Sequence, residues 1–259
     1  MKKVLLSIAI SAGLAGSAFA ADLPAKAPRV MPAPVVATNW TGCFIGAGGG
    51  YGLWNQPHFT ESPNTRVPIT ASATAGGRGW FGTVQAGCDY QFADRWVVGV
   101  FGDYDFGRLR GDFNPVGTTL VGDERLTSSW AAGARLGYVV VPQLLAYVSG
   151  GYTQARFGQV DFLVAPALIP TAVSMSAQTY RGWFIGTGYE YALDLLPGLF
   201  WKSEYRFATY RAEDVPVYLS TLGTTTLLDF ERNEKFVHTV RSELVWRFNW
   251  GAGPVVARY

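Results

Sequence analysis

The chain is poor in the residues that most site chemistry needs. It holds two histidines and two cysteines in 259 residues. So few imidazoles make a weak case for a metal centre or a His-dependent nucleophilic site. Cys43 and Cys88 show no metal-ligand spacing. Charged residues are also scarce, at 15% against about 25% in ordinary soluble domains. A helix crosses a bilayer with about 20 apolar residues, and nothing beyond the N-terminal segment supplies such a run. The best candidate, 139–148, is interrupted by Pro142 and Gln143. A helical membrane protein is therefore excluded. Net charge is missing as well. Without Lys2 and Lys3, the 21 basic residues fall to 19, equal to the 19 acidic ones. No nucleic-acid partner is expected from that balance.

What the chain does have begins with "MKKVLLSIAISAGLAGSAFA". A positive start, an apolar stretch and Ala18-Phe19-Ala20 predict a secretory signal peptide over 1–20. No cysteine follows the cleavage site, which argues against a lipoprotein. Residues 21–38 are rich in Pro and Ala and read as a periplasmic linker. The full chain is nevertheless 49% hydrophobic and 15% aromatic. That excess of apolar surface needs an environment to meet it.

From Trp40 on, the apolar residues recur with period two, the strand signature. Eight segments show it: 40–54, 79–92, 96–111, 128–141, 144–158, 179–194, 198–211 and 234–250. In the last, Val240, Leu244, Trp246, Phe248 and Trp250 alternate with Arg241, Glu243, Arg247 and Asn249. Long connectors at 55–78, 112–127, 159–178 and 212–233 alternate with short ones near 93–95, 142–143 and 195–197. An even strand number with this asymmetry predicts an all-β fold. It is an eight-stranded antiparallel transmembrane up-and-down β-barrel with four long outer loops and three short periplasmic turns. The barrel occupies 39–250, and 251–259 form a C-terminal tail. Lipid offers no hydrogen bonds, so the sheet must close and turn its apolar face outward. The predicted location is the Gram-negative outer membrane. All nine tryptophans are expected in the interface girdles. Trp40, Trp96, Trp201, Trp246 and Trp250 fall at the periplasmic ends, and Trp54, Trp80, Trp130 and Trp183 at the outer ends.

The stretches "ADLPAKAP", "WTGCFIGAGGGYG", "GTVQAGCDYQF" and "VRSELVWRFNWGAGPVVARY" resemble the alphaproteobacterial outer-membrane immunogenic-protein family. These are small surface barrels similar to the membrane domain of OmpA. The resemblance implies an abundant, surface-exposed and non-enzymatic envelope protein, often antigenic, with no cofactor. Leu244, Trp246 and Phe248 also resemble the aromatic signal read by the barrel assembly machinery, with Tyr259 as the alternative end point.

On the polar parity lie Asp89, Asp103, Asp105, Arg135, Glu190, Lys202, Glu204, Arg206, Arg241, Glu243 and Arg247. Eight strands leave a bore that side chains fill. Buried charges must pair, so these predict an acid–base network that closes the barrel. The function expected is a structural surface antigen serving envelope integrity and adhesion. Its partners are outer-membrane lipid and lipopolysaccharide, the assembly machinery, and host or surface ligands of the outer loops. One alternative is a narrow, porin-like ion channel through the same charges. Another is an enzyme with a loop-borne site, using His58 or His238 with Glu61, Asp123 or Asp229.

The glycine run from Gly42 to Gly52 could suggest a phosphate loop, but another strand-like segment follows after a long loop where a helix is needed, and Tyr51 holds the last position of the Gly-x-Gly-x-x-Gly pattern. By parity Gly42, Gly46, Gly48, Gly50 and Gly52 face inward, giving a wall with room for large charges opposite. If Tyr51 opposes Trp80 and Ala47 opposes Val84, Cys43 opposes Cys88. That register predicts a cross-strand disulfide near the periplasmic end.

Overall fold

A computed structural model describes residues 38–248. The predicted signal peptide, most of the linker and the C-terminal tail lie outside the described residues. The strands are β1 Gly42–Glu61, β2 Ala73–Phe92, β3 Trp96–Phe113, β4 Leu120–Val141 and β5 Leu144–Phe157. They continue with β6 Val160–Val164, β7 Ile169–Met175, β8 Gln178–Ala192, β9 Leu199–Thr221 and β10 Thr224–Phe248. Eight of them close a ring in the order β1-β2-β3-β4-β5-β8-β9-β10, with β10 returning to β1. Every ring pairing is antiparallel.

The pleat sorts the side chains. Along β3, Trp96, Val98, Val100, Tyr104 and Phe106 point outward, while Val97, Phe101, Asp103 and Asp105 are buried. Trp80, Trp130 and Trp183 form the outer girdle, and Trp96, Trp201 and Trp246 the periplasmic one. From Trp130 to Tyr138 the strand advances roughly 20–25 Å along the barrel axis, the height of the apolar band of such barrels. Two tryptophans depart from expectation. Trp54 lies on the inward parity of β1, edge-on to Phe157 at 5.4 Å, and its indole N–H donates to the Leu109 carbonyl at 3.3 Å. Trp40 packs inside the periplasmic mouth against Phe200, ring centres 5.0 Å apart. Both are buried because their side chains turn into the lumen rather than toward lipid. Trp250 lies outside the described residues.

The strands outrun the membrane. β10 has 25 residues, where about 9–11 suffice to cross. Much of what reads as outer loop is therefore sheet. The fourth expected loop, 212–233, is a hairpin extension that turns at Leu222-Gly223. Both turn residues have positive φ, 45° and 83°, the left-handed pair that matches strand twist. In the third outer segment, β6 pairs with β4 and β7 with β9. The β6–β7 hairpin thus replaces β5 and β8 above their ends and keeps the wall closed. The periplasmic turns are short at 93–95 and 142–143, and 193–198 link β8 to β9.

Candidate functional site in the barrel lumen

The inward faces of these strands build the site. Period-two alternation puts one polar side chain at each second step, and the ring aims them at a common axis. All eleven charged residues of the polar parity are buried, none more than 7% exposed. They fall into tiers.

The lowest tier is a closed quartet. Arg135 donates to Asp89 through Nε at 2.9 Å and also bonds Glu190. Arg247 donates to the other Asp89 oxygen at 2.6 Å and also bonds Glu190. Two guanidinium forks thus grip two carboxylates, the strongest geometry for an ion pair. Aromatic faces shield the quartet. Arg135 lies 4.5 Å from the Phe44 ring, and Arg247 about 5 Å from Trp40, Phe44 and Phe200. Arg247 also donates to the Trp40 carbonyl at 3.2 Å.

The middle tier centres on Lys202. Its Nζ donates to Gln85 at 2.8 Å and stands 3.3 Å from Glu204 and 3.6 Å from Glu243. The Tyr147 hydroxyl donates to Glu204 at 2.8 Å. Above it, Arg206 clamps Asp103 with both terminal nitrogens, at 3.0 and 2.7 Å, while its Nε holds Glu204 at 2.9 Å. Arg241 donates to Asp105 at 3.0 Å, and Ser129 donates to the same oxygen. The void between Asp103, Asp105, Arg206, Tyr210 and Arg241 measures about 20 Å³, room for one water.

A further polar group stands higher, and the sequence reading did not find it. Lys235 is fully buried and bonded to Gln56 and Glu124. Its ammonium faces Phe157 at 4.1 Å, Tyr180 at 5.0 Å and Trp54 at 5.1 Å, an aromatic cage. Next to it, His58 Nδ1 meets Glu231 at 2.6 Å, and Thr60 donates to the second Glu231 oxygen at 2.9 Å. His58 was expected in an outer loop. It lies instead in β1, buried and tilted against Phe113 with ring centres 4.6 Å apart, because β1 runs on to Glu61. Nor do the acids expected near the histidines converge on them: His58 meets Glu231, and His238 faces outward on the Tyr205 hydroxyl at 2.8 Å. The signal for this group was available. Gln56 and His58 keep the parity of Trp54, and Asn233 and Lys235 keep that of Arg241.

On the outer wall Tyr51 opposes Trp80, Ala47 opposes Val84 and Cys43 opposes Cys88. The two cysteine Cα atoms are 3.9 Å apart and the sulfurs are bonded. Leu244, Trp246 and Phe248 point outward at the periplasmic end of β10.

An eight-stranded ring with an apolar belt, two aromatic girdles and a paired polar interior defines a small outer-membrane β-barrel protein. No family model matches the chain. It is 32% identical over 259 residues to the 31 kDa outer-membrane immunogenic protein of Brucella melitensis, covering 96% of this chain and 100% of that one. The same values hold for the protein of that name in Brucella suis. The chain belongs to this outer-membrane immunogenic-protein family. Among solved structures, outer membrane protein OprG from Pseudomonas aeruginosa aligns with a TM-score of 0.49 and 14% identity, over 83% of this chain and 100% of that one.

Proposed function

We propose that the protein is a closed, non-enzymatic surface barrel that supports the envelope and displays its outer segments as antigen and adhesion surface. The observation that carries this is the filled lumen. Five buried cations and six buried carboxylates interlock from the Arg135–Arg247 quartet up to Arg241. A conducting path would have to break several desolvated ion pairs at once, which is costly. The porin-like reading is disfavoured on that ground. A loop-borne enzyme is disfavoured because His58 is buried on Glu231 and His238 is held by Tyr205 on the outer face. The partners of this reading are outer-membrane lipid and lipopolysaccharide around the belt and the assembly machinery at Leu244, Trp246 and Phe248. Ligands would meet the outer hairpins.

Planar-bilayer recording tests it. The reconstituted barrel is expected to pass no steady current. Reproducible nanosiemens steps from folded protein would overturn the closed reading and reinstate the channel.

A further inference from the structure

The outer wall carries a row in which three arginines share one carboxylate. His238, Leu53, Arg78, Arg110 and Arg125 stand directly opposite one another across β10, β1, β2, β3 and β4. Arg78, Arg110 and Arg125 therefore share one face in register, at the ~4.5–5.5 Å Cβ spacing of opposed residues. Like charges so placed destabilise a sheet. The available compensation is thin. Asp123 accepts from Arg125 Nε at 3.1 Å and lies 3.9 Å from Arg110. Among the described residues Arg78 has no ion-pair partner.

The row also borders a cleft. It measures about 770 Å³ and runs between Arg78 and Arg110 on one side and Asn55 and Asp112 on the other. Gly76, Gly77 and Gly111 leave its floor without side chains, and Leu53 forms an apolar edge. Arg78 stands two residues beyond Trp80 of the outer girdle, on the same outward parity. Aromatic girdles mark the headgroup level. The cleft thus opens sideways to the outer leaflet, where its headgroups begin.

We propose that Arg78 and Arg110 bind a phosphate of the phosphorylated glycolipid of the outer leaflet, with its acyl chains descending over Leu53, Tyr51 and Trp80. This deepens the lipid partnership proposed above and rests on it. Guanidinium forks suit phosphate oxygens, and basic pockets at the membrane surface hold anionic headgroups. A bound phosphate supplies the anion that Arg78 lacks among the described residues. Asp123 competes for the same cations from the same outer face.

The test uses the folded full barrel in phosphatidylcholine nanodiscs doped with bisphosphorylated lipid A or its dephosphorylated form, with bound lipid read by native mass spectrometry. The wild type is expected to retain the phosphorylated form about tenfold better, the effect of one or two charge-assisted hydrogen bonds. Arg78→Gln with Arg110→Gln should erase that preference. Asp123→Asn should strengthen it, an opposite sign that a folding defect cannot imitate. Arg66→Gln with Arg232→Gln removes the same charge from the two arginines paired with Asp214 on the β9–β10 hairpin and should change nothing. Equal retention of the two lipids, or an equal loss in the hairpin control, overturns the site. A barrel that enters nanodiscs but holds neither lipid fails here alone. A barrel that conducts fails the closed reading instead.

Discussion

Arg206 reaches across the barrel and closes both terminal nitrogens on Asp103, a partner 103 residues away in sequence. Their strands, β9 and β3, stand four places apart in the ring by either route, so the pair spans its diameter. Removing one partner strands the other in a medium that cannot solvate it. Arg206→Met should therefore destabilise the barrel by about 3–5 kcal/mol. Urea unfolding in lipid vesicles measures it. Asp103→Asn should cost less, since Arg206 keeps Glu204 and Arg241 still meets Asp105. Equal and negligible losses would show the clamp to be slack.

How much of this could be read beforehand follows from where alternation was visible. Within the membrane one face must be apolar, so Arg135, Glu190 and Arg247 stood out against Leu136, Tyr189 and Trp246. Above the membrane that contrast fades because neither face meets lipid. Gln56 and His58 therefore looked like loop residues, although their parity was intact, and Lys235, at the start of the eighth segment, was left out of the network. The Leu222-Gly223 turn was missed for a different reason. Leucine is an unusual residue at positive φ, and no Asn or Asp advertised the hairpin. The β6–β7 insertion depends on a gap left by β5 and β8, which only the closed ring defines.

The Cys43–Cys88 opposition predicts a bridge in the exported protein. Unfolded without reductant, it should expose no thiol; two titrating groups would sink the idea. The two cysteines are 45 residues apart, so a bridge constrains the unfolded chain and is expected to add about 2–4 kcal/mol. Cys43→Ser with Cys88→Ser should lower the urea midpoint by that margin and leave the folded band on gels intact, because the ladder around it remains.

The glycine wall makes a position-specific prediction. A Cβ at Gly48 would run into the Ser242 carbonyl and the Glu243 Cα of β10. At Gly102 the nearest atom would be the Ala131 carbonyl oxygen at 3.6 Å, an ordinary contact. Gly48→Ala should cost about 1–3 kcal/mol, as overpacking does, while Gly102→Ala should stay within about 0.5 kcal/mol. Equal effects would mean that β1 yields freely and that its glycines are not spacers.

The end of β10 separates assembly from stability. Leu244 and Trp246 each face a neighbour on both sides, Ala47 and Trp201 for one, Ile45 and Leu199 for the other. Phe248 opposes Cys43 and, among the described residues, has no partner on β9. It contributes little to packing and presents its ring at the periplasmic rim, where the machinery would meet an incoming strand. Phe248→Ala should therefore lower the amount of folded barrel in cells several-fold while purified protein refolds into vesicles as well as wild type. Deleting 251–259 should leave cellular assembly largely intact. Failure of the truncation together with normal assembly of Phe248→Ala would move the signal to the terminal Tyr259.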